Sequence, residues 1–369
     1  MSGAQELRFV RFEDPQAFLE ATKQFDDSFM NFSLGALCDY LSSPQYAAAD
    51  PSKPVHLLAV YRGEDLLLTV SHNRTDFAWM MSVPTSAEYL LMGTSTTPGL
   101  LAPAIALLAS STLDQLSSDP LVLDKMIGPA PAVSAFLTTW VDLLATRGLR
   151  VRIDTGTKAG AFGSRVSYVT RATLPPPPAN PFPHPVVQAT PADLEDIAQL
   201  YIAFQFDTPW HGVVTREAAL AFVDRPVRAG LVWYVRVDGE TVAYVLLGRV
   251  TPRTIALRNV FVKPSHRRKG IAEAMVRGVT RYYLNAPPYG VQPAMEGPPA
   301  VGFKEEVNLN VADESAERVY RRSGFLFPDR NGDAVTGGID PATGRKGWYE
   351  SIWRGVEQEP EPSSEGHAQ

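Results

Sequence analysis

The chain holds a single cysteine, Cys38, among 369 residues. One thiol cannot close an internal disulfide, so a disulfide scaffold is excluded, and a reducing compartment fits. Histidines number only six, and neither paired cysteines nor a His-Glu-x-x-His run supplies a zinc set. A G-x-S-x-G elbow is missing as well, which removes the common serine-hydrolase signature. Long apolar runs are lacking. The most apolar stretch, 100–109, is far short of a membrane span and is broken by Pro103. The opening MSGAQELRFV lacks the basic region and long apolar core of a signal peptide, so a cytoplasmic or nucleocytoplasmic protein is expected. Positive charge is not in excess either: 34 Lys and Arg stand against 40 Asp and Glu, a net charge of −6. Neither a nucleic-acid partner held by bulk charge nor a membrane partner is expected.

What is present is an ordinary globular composition, 45 % hydrophobic and 20 % charged, at a length that favours two domains. The boundary falls in Leu174–Pro185, LPPPPANPFPHP. Such a run offers few ladder donors and prefers extended polyproline conformation, so it reads as a spacer. It separates a first half, 1–173, from a second, 186–356. The stretch 357–369, rich in Glu, Pro and Ser, has almost nothing to bury and reads as a disordered tail.

In the second half the spacing of Leu194, Ile197, Ala198 and Tyr201 predicts a helix over 191–206, with Thr190 as N-cap and Pro191 at its first position. A short helix over 215–223 follows. Strands are predicted at 231–237 and 241–250, joined by Asp238-Gly239, a strong two-residue hairpin signal. A third strand spans 254–262, a helix 270–284, a strand 307–311, a helix 315–323 and a closing strand 348–353. This is an α/β pattern on a mixed sheet. The first half repeats part of the rhythm: strands at 55–61 and 65–71 about an Arg62-Gly63-Glu64 turn, then 79–83 and 122–127, a helix over 132–147 and a strand at 149–154. A diverged structural duplicate is expected from element order alone.

The chemistry concentrates in 258–276, RNVFVKPSHRRKGIAEAMV. An apolar strand runs into a basic turn, Arg267-Arg268-Lys269-Gly270, and then into a helix opening on Ile271-Ala272. A helix's first turn leaves backbone N–H groups unpaired and adds positive potential. Gly270 lets the backbone approach a ligand, Ala272 keeps the helix face thin, and the basic residues attract phosphate. A diphosphate on this turn would send any attached chain along the preceding strand.

These residues resemble the GNAT N-acetyltransferase superfamily, whose pyrophosphate signature Arg/Gln-x-x-Gly-x-Gly/Ala is matched by Arg267, Gly270 and Ala272. Val260-Phe261-Val262-Lys263-Pro264 is similar to that family's fourth strand, whose backbone pairs with the pantetheine arm. Leu309-Asn310-Val311 looks like the fifth. Asp313-x-x-Ala316-x-x-Val319-Tyr320, then Gly324-Phe325, looks like the family's closing Asn-x-x-Ala-x-x-Leu-Tyr…Gly-Phe, with Asp313 in place of Asn and Ser315 beside it. The resemblance spans roughly the second half. It implies acetyl-CoA as cosubstrate, Tyr320 near the CoA sulfur as the acid for the leaving thiolate, and a small-molecule or peptide amine as acceptor. The implied fold is two tandem GNAT-like domains, each a mixed, mostly antiparallel twisted sheet flanked by helices. The first would be degenerate, since Gly-Pro-Ala-Pro follows Ile127 where a basic turn would stand.

Direct transfer needs a base, because an alkyl ammonium with a pKa of about 10 is a poor nucleophile at neutral pH. Glu306 and Asp207 are the candidates, with water as the alternative. Asp313 is as readily a helix N-cap as a ligand contact. Trp210-His211, after Pro209, could line an acceptor pocket but reads more readily as packing or surface. His72-x-x-x-Asp76 is a chance-level acyltransferase match, and Gly156-x-x-x-Gly160-x-x-Gly163 is a weak phosphate loop. The competing functions are a longer-chain acyltransferase and a CoA-binding sensor without turnover.

Overall fold

The structure is a computed structural model and describes residues 6–48, 50, 54–73, 77–91, 99–154, 162–208, 211–328 and 338–359. The first half runs β1 (Leu7–Arg11), α1 (Pro15–Thr22), α2 (Asn31–Leu41), α3 (Pro44–Ala48), β2 (His56–Arg62), β3 (Asp65–His72), β4 (Trp79–Ser82), α4 (Leu101–Gln115), β5 (Lys125–Pro129), α5 (Ala130–Thr146), β6 (Val151–Ile153) and β7 (Phe162–Thr170). The second runs β8 (Val186–Gln188), α6 (Leu194–Asp207), α7 (Arg216–Arg228), β9 (Val232–Val237), β10 (Glu240–Gly248), β11 (Thr254–Val262), α8 (Ile271–Tyr283), β12 (Glu306–Val311), α9 (Glu314–Arg322) and β13 (Trp348–Gln358).

One sheet joins both halves, in the order β1-β2-β3-β4-β5-β13-β7-β12-β11-β10-β9-β8, with β6 beside β13. Two pairs are parallel, β4 with β5 and β11 with β12; the other pairs are antiparallel. The order is symmetric about its centre. In each half an antiparallel run ends in one parallel pair, and the strand beyond that pair belongs to the other half. β7 of the first half pairs with β12, and β13 of the second pairs with β5. The two exchanged strands pair with each other, Trp348 opposite Ser167 and Tyr349 opposite Val166. The expected duplication is therefore present, but the halves share a sheet rather than standing apart. β13 also reaches Gln358, so the first residues assigned to the tail, Glu357 and Gln358, are strand and pair with β6.

Local chemistry explains the elements that position the site. Thr190 and Asp193 form a reciprocal capping box ahead of α6. Asp238 and Gly239 turn the β9–β10 hairpin at φ 50° and 83°. In α8, Ile271, Met275, Val276, Val279, Tyr282 and Tyr283 fall on one helical face and are all buried against β9–β12. Each such aliphatic burial contributes roughly 1.5–3 kcal/mol. α6 and α7 cover the other face through Ile197, Leu200, Val223 and Val227, packed on Tyr234, Tyr244 and Phe261. Over the middle of the sheet Phe32 of α2, with Phe29 just ahead of that helix, packs against Val166, Tyr168 and Tyr349.

Two prolines depart from expectation. Pro103 lies in the first turn of α4, where no N–H is required, so the apolar stretch is a helix start rather than a broken run. Pro226 lies in the last turn of α7, which runs to Arg228, past the predicted end. The proline-rich segment is pinned: Arg281 donates to the Pro175 carbonyl at 3.1 Å and Arg277 to that of Pro176 at 2.8 Å.

Candidate functional site

β11 pairs with β12 only from Thr254 opposite Glu306 to Leu257 opposite Leu309. Past that point the two strands part. The cause is local: Leu247 faces Leu257 but Leu246 faces Asn259, so Arg258 is an extra residue in β11. Such a bulge bends the strand and sharpens its twist. The gap is a cleft of about 780 Å³. One wall is β11 with Val260, Phe261 and Val262, the other Asn310 to Asp313 and α9.

The turn at the end of β11 forms the mouth. Arg268 and Gly270 take left-handed φ of 65° and 80°. A Cβ on Gly270 would meet nothing within 4 Å, so the glycine is there for conformation rather than space. Ala274 is the first helix residue to bond backward, to Gly270, and the amides of 268–273 have no backbone acceptor among the described residues. Those free N–H groups and the dipole of the 13-residue α8 make an anion site. Arg267, Arg268, Gly270, Ile271 and Ala272 line the cleft here; Lys269 is exposed and does not. Arg267 lies across the mouth. Its Nε donates to the Val262 carbonyl at 3.0 Å and its Nη2 reaches Asp207 Oδ2 at 2.6 Å.

At the α9 wall, Asp313 is the N-cap: its Oδ1 accepts from the Ala316 amide at 2.8 Å and from the Ser315 hydroxyl. Those two bonds hold its carboxyl below the usual range. Tyr320 lines the cleft, edge-on to Phe325 at 5.7 Å between ring centres. Burial first, and the Asp313 charge second, push its phenol well above the ordinary value. Its hydroxyl makes no hydrogen bond with a described residue, so it stands protonated with a proton to give.

Glu306 is not brought to this cleft. It starts β12, on the order of 13 Å along the strand from Asn310, and accepts the Ser28 amide at 2.7 Å where α2's approach meets the sheet. Burial and then the nearby Asp27 charge push its carboxyl up to about 7. Asp207 does line the cleft, but as the ion-pair partner of Arg267 rather than as a free base. His211 bonds the Phe206 carbonyl through Nδ1, and Trp210 lies outside the described residues. His72 stacks on Trp79 within the first half, while Asp76, Gly156 and Gly160 lie outside the described residues. Burial holds the Cys38 thiol up to about 11, which leaves it inert.

The equivalent place in the first half is shut. β4 and β5 stay so close that a Cβ on Gly128 would stand 2.5 Å from the Met81 carbonyl oxygen. The helix that follows, α5, opens on Ala130-Pro131 with no basic residue in its first turn.

The sequence alone does not mark Arg249 or Arg258 as site residues. An arginine at a strand end reads as surface charge, and nothing in the pattern marks a bulge.

A parallel strand pair that parts beside a free helix N-terminus has the shape and polarity to take an anionic group with an extended arm. Residues 228–325 match the family described as Acetyltransferase (GNAT) domain. The match runs from the end of α7 through α9 and takes in both walls of the cleft and the anion turn. Among solved structures, a GCN5-related N-acetyltransferase from Sphaerobacter thermophilus is similar at 15 % identity, over 95 % of this chain and 95 % of that one, with a TM-score of 0.45. A GNAT-family acetyltransferase from Colwellia psychrerythraea gives 10 %, 94 %, 99 % and 0.42. A tandem GNAT protein from the clavulanic acid biosynthesis pathway gives 12 %, 97 %, 100 % and 0.42. No curated protein matches the chain. No helix among the described residues is long and apolar enough to cross a membrane.

Proposed function

We propose that the chain is an N-acetyltransferase that takes the acetyl group of acetyl-CoA and transfers it directly to an amine. The observation that carries the reading is the opening of the β11–β12 gap straight onto the free amides of 268–273. In this reading those amides with Arg267 and Arg268 hold the diphosphate. The free edge of Val260 to Val262 lies along the arm, and Asp313 and Ser315 keep α9 in register beside it. Tyr320 supplies the proton at its Oη to the departing sulfur. The amine nitrogen bonds the carbonyl carbon as the carbon–sulfur bond breaks. The amine's own proton passes to water, since the carboxylates lining the cleft are engaged: Asp207 by Arg267, Glu273 by Arg277 and Arg322, Asp313 as a cap. Tyr320 regains its proton from solvent. The one cysteine suits work in the reducing cytoplasm.

Calorimetric titration of acetyl-CoA into the wild type and a Gly270→Glu variant tests this. Micromolar binding that the variant loses is the expected result, because a carboxylate at φ 80° would stand among the anion-holding amides. A folded wild type that binds no acetyl-CoA would sink the reading.

A further inference from the structure

Inward from the gap, the face of the sheet opposite α8 continues toward the first half. Gly248, Ala256 and Asn308 lie side by side across β10, β11 and β12. α2 closes the space above them. The Asn31 side-chain amide donates to the Arg249 carbonyl and to the Thr254 hydroxyl, each at 2.8 Å. Gly35 approaches so closely that a Cβ would stand 2.6 Å from the Cβ of Arg249.

Arg249 leaves β10 at φ 50°, a left-handed conformation that arginine seldom adopts. Both of its backbone polar groups are tied to the first half, the carbonyl to Asn31 and the amide to Asp39 Oδ2 at 2.9 Å. The enforced turn carries the side chain over Phe32, whose ring centre is 4.1 Å from the guanidinium carbon. The guanidinium makes no hydrogen bond or ion pair with any described residue. Burial, and then Arg258, pull it down to about 9, which still leaves it charged at neutral pH. Arg258, on the bulge, has Nη1 3.5 Å from Asp39 Oδ2. Two guanidiniums thus face one carboxylate, and that carboxylate already accepts the Arg249 amide.

Unsatisfied polar atoms ring the same corner. The Asn308 side-chain nitrogen, the Asn310 side-chain oxygen and the Tyr349 hydroxyl are buried without a partner. Asn310 and Tyr349 flank Val166 in one row across β12, β7 and β13. Arg258 and Asn310 also line the cleft, so the corner opens onto the place where the acetyl group would sit. An unpaired, half-buried charge and orphaned polar atoms are each costly, and they are kept where a ligand completes them.

We propose that the acceptor carries a carboxylate beside its amine, and that Arg249 and Arg258 bind this carboxylate within a pocket the first half completes through Phe32 and Asp39. The acceptor class is amino acids and other carboxylated amines. Paired guanidinium forks match a carboxylate in a way one ammonium does not. This rests on the N-acetyltransferase reading, and its test is separable from it.

Matched amines are screened on the full chain by saturation-transfer NMR, with and without CoA: lysine with lysinamide and cadaverine, β-alanine with β-alaninamide and propylamine, and phosphoethanolamine. This readout needs no turnover. Acetylation of the same panel is followed by thiol release. The expected result is binding confined to the carboxylated members, lost in Arg249→Met and weakened by about tenfold in Arg249→Lys, an order typical of a lost charge-assisted pair. Arg258→Met should raise KM for these amines while leaving acetyl-CoA affinity unchanged. Arg249→Met should melt no lower than wild type, because it removes an unpaired charge. Equal binding of amides and carboxylates, preference for phosphoethanolamine, or a lower melting point of Arg249→Met would each overturn the proposal. Selective carboxylate binding by a protein that ignores acetyl-CoA would uphold it and refute the acetyl-transfer reading instead.

Discussion

Asp207 and Arg267 close an ion pair of 2.6 Å across the mouth of the cleft. The same guanidinium bonds the Val262 carbonyl, so one arginine of the anion turn is occupied twice by the protein itself. A diphosphate arriving at the turn competes with Asp207 for it.

Asp207→Asn should therefore tighten acetyl-CoA binding. Both partners are about two-fifths exposed, and such pairs contribute on the order of 0.2–1 kcal/mol, so Kd should fall by about two- to fivefold. Calorimetry at low and high salt checks it, with the difference shrinking as salt rises. Looser binding would give Asp207 a direct role with the ligand.

Tyr320→Phe should lower kcat by roughly 100- to 10,000-fold, the usual worth of a positioned acid. Acetyl-CoA affinity and melting temperature should hold, since the hydroxyl has no described partner and the ring keeps its contact with Phe325. Single-turnover kinetics separates the chemical step from binding. An unchanged kcat would return Tyr320 to a packing role.

Glu306 should make stability fall as pH rises. Its carboxyl titrates near 7 in the folded chain against 4.5 as a free side chain. The folded state then binds more protons than the unfolded one between those values, so this contribution is present below about pH 4.5 and is lost by pH 7. Glu306→Gln keeps an oxygen for the Ser28 amide and removes the charge. It should stabilise the protein at pH 8 by on the order of 1–3 kcal/mol and flatten the decline. Denaturant melts at pH 5 and pH 8 read both. A Glu306→Gln variant less stable at pH 8 would contradict this account.

A fragment beginning at Pro185 should not fold to an active form. It keeps β8 to β13 but loses β7, the strand that covers the outer edge of β12, and leaves β13 without β5 or β7. Exposed sheet edges aggregate. By contrast, a chain nicked between 178 and 182 after folding should stay in one piece in gel filtration and unfold in one transition. Two separate transitions would show that the halves are independent.

Much of the second half is legible in the chain because its signals are local. The strand Thr254–Val262 agrees to the residue with its apolar run, and the Arg267–Gly270 turn announces itself by composition. β7 is not legible: it follows a glycine-rich segment, and its partners lie far away in β12 and β13. The exchange of strands is a tertiary fact with no period or cap to betray it. α2 hides for a related reason. Seven of its eleven residues are buried, so no polar face alternates with the apolar one. The site divides in the same way. Its anion turn and Tyr320 are readable as motif, whereas Arg249 owes its place to contacts made by Asn31, Gly35 and Asp39, more than two hundred residues earlier.

The exchanged strands also set the order in which the molecule can be completed during synthesis. β5 is made early, yet the neighbour that seals its edge, β13, is made more than two hundred residues later, last among the described strands. At about 5–20 residues per second, the first half waits roughly 10–50 s with that edge uncovered. A nascent chain in this condition invites chaperones, and a slowed ribosome or a premature stop before Trp348 would harm the half already built as well as the one being made.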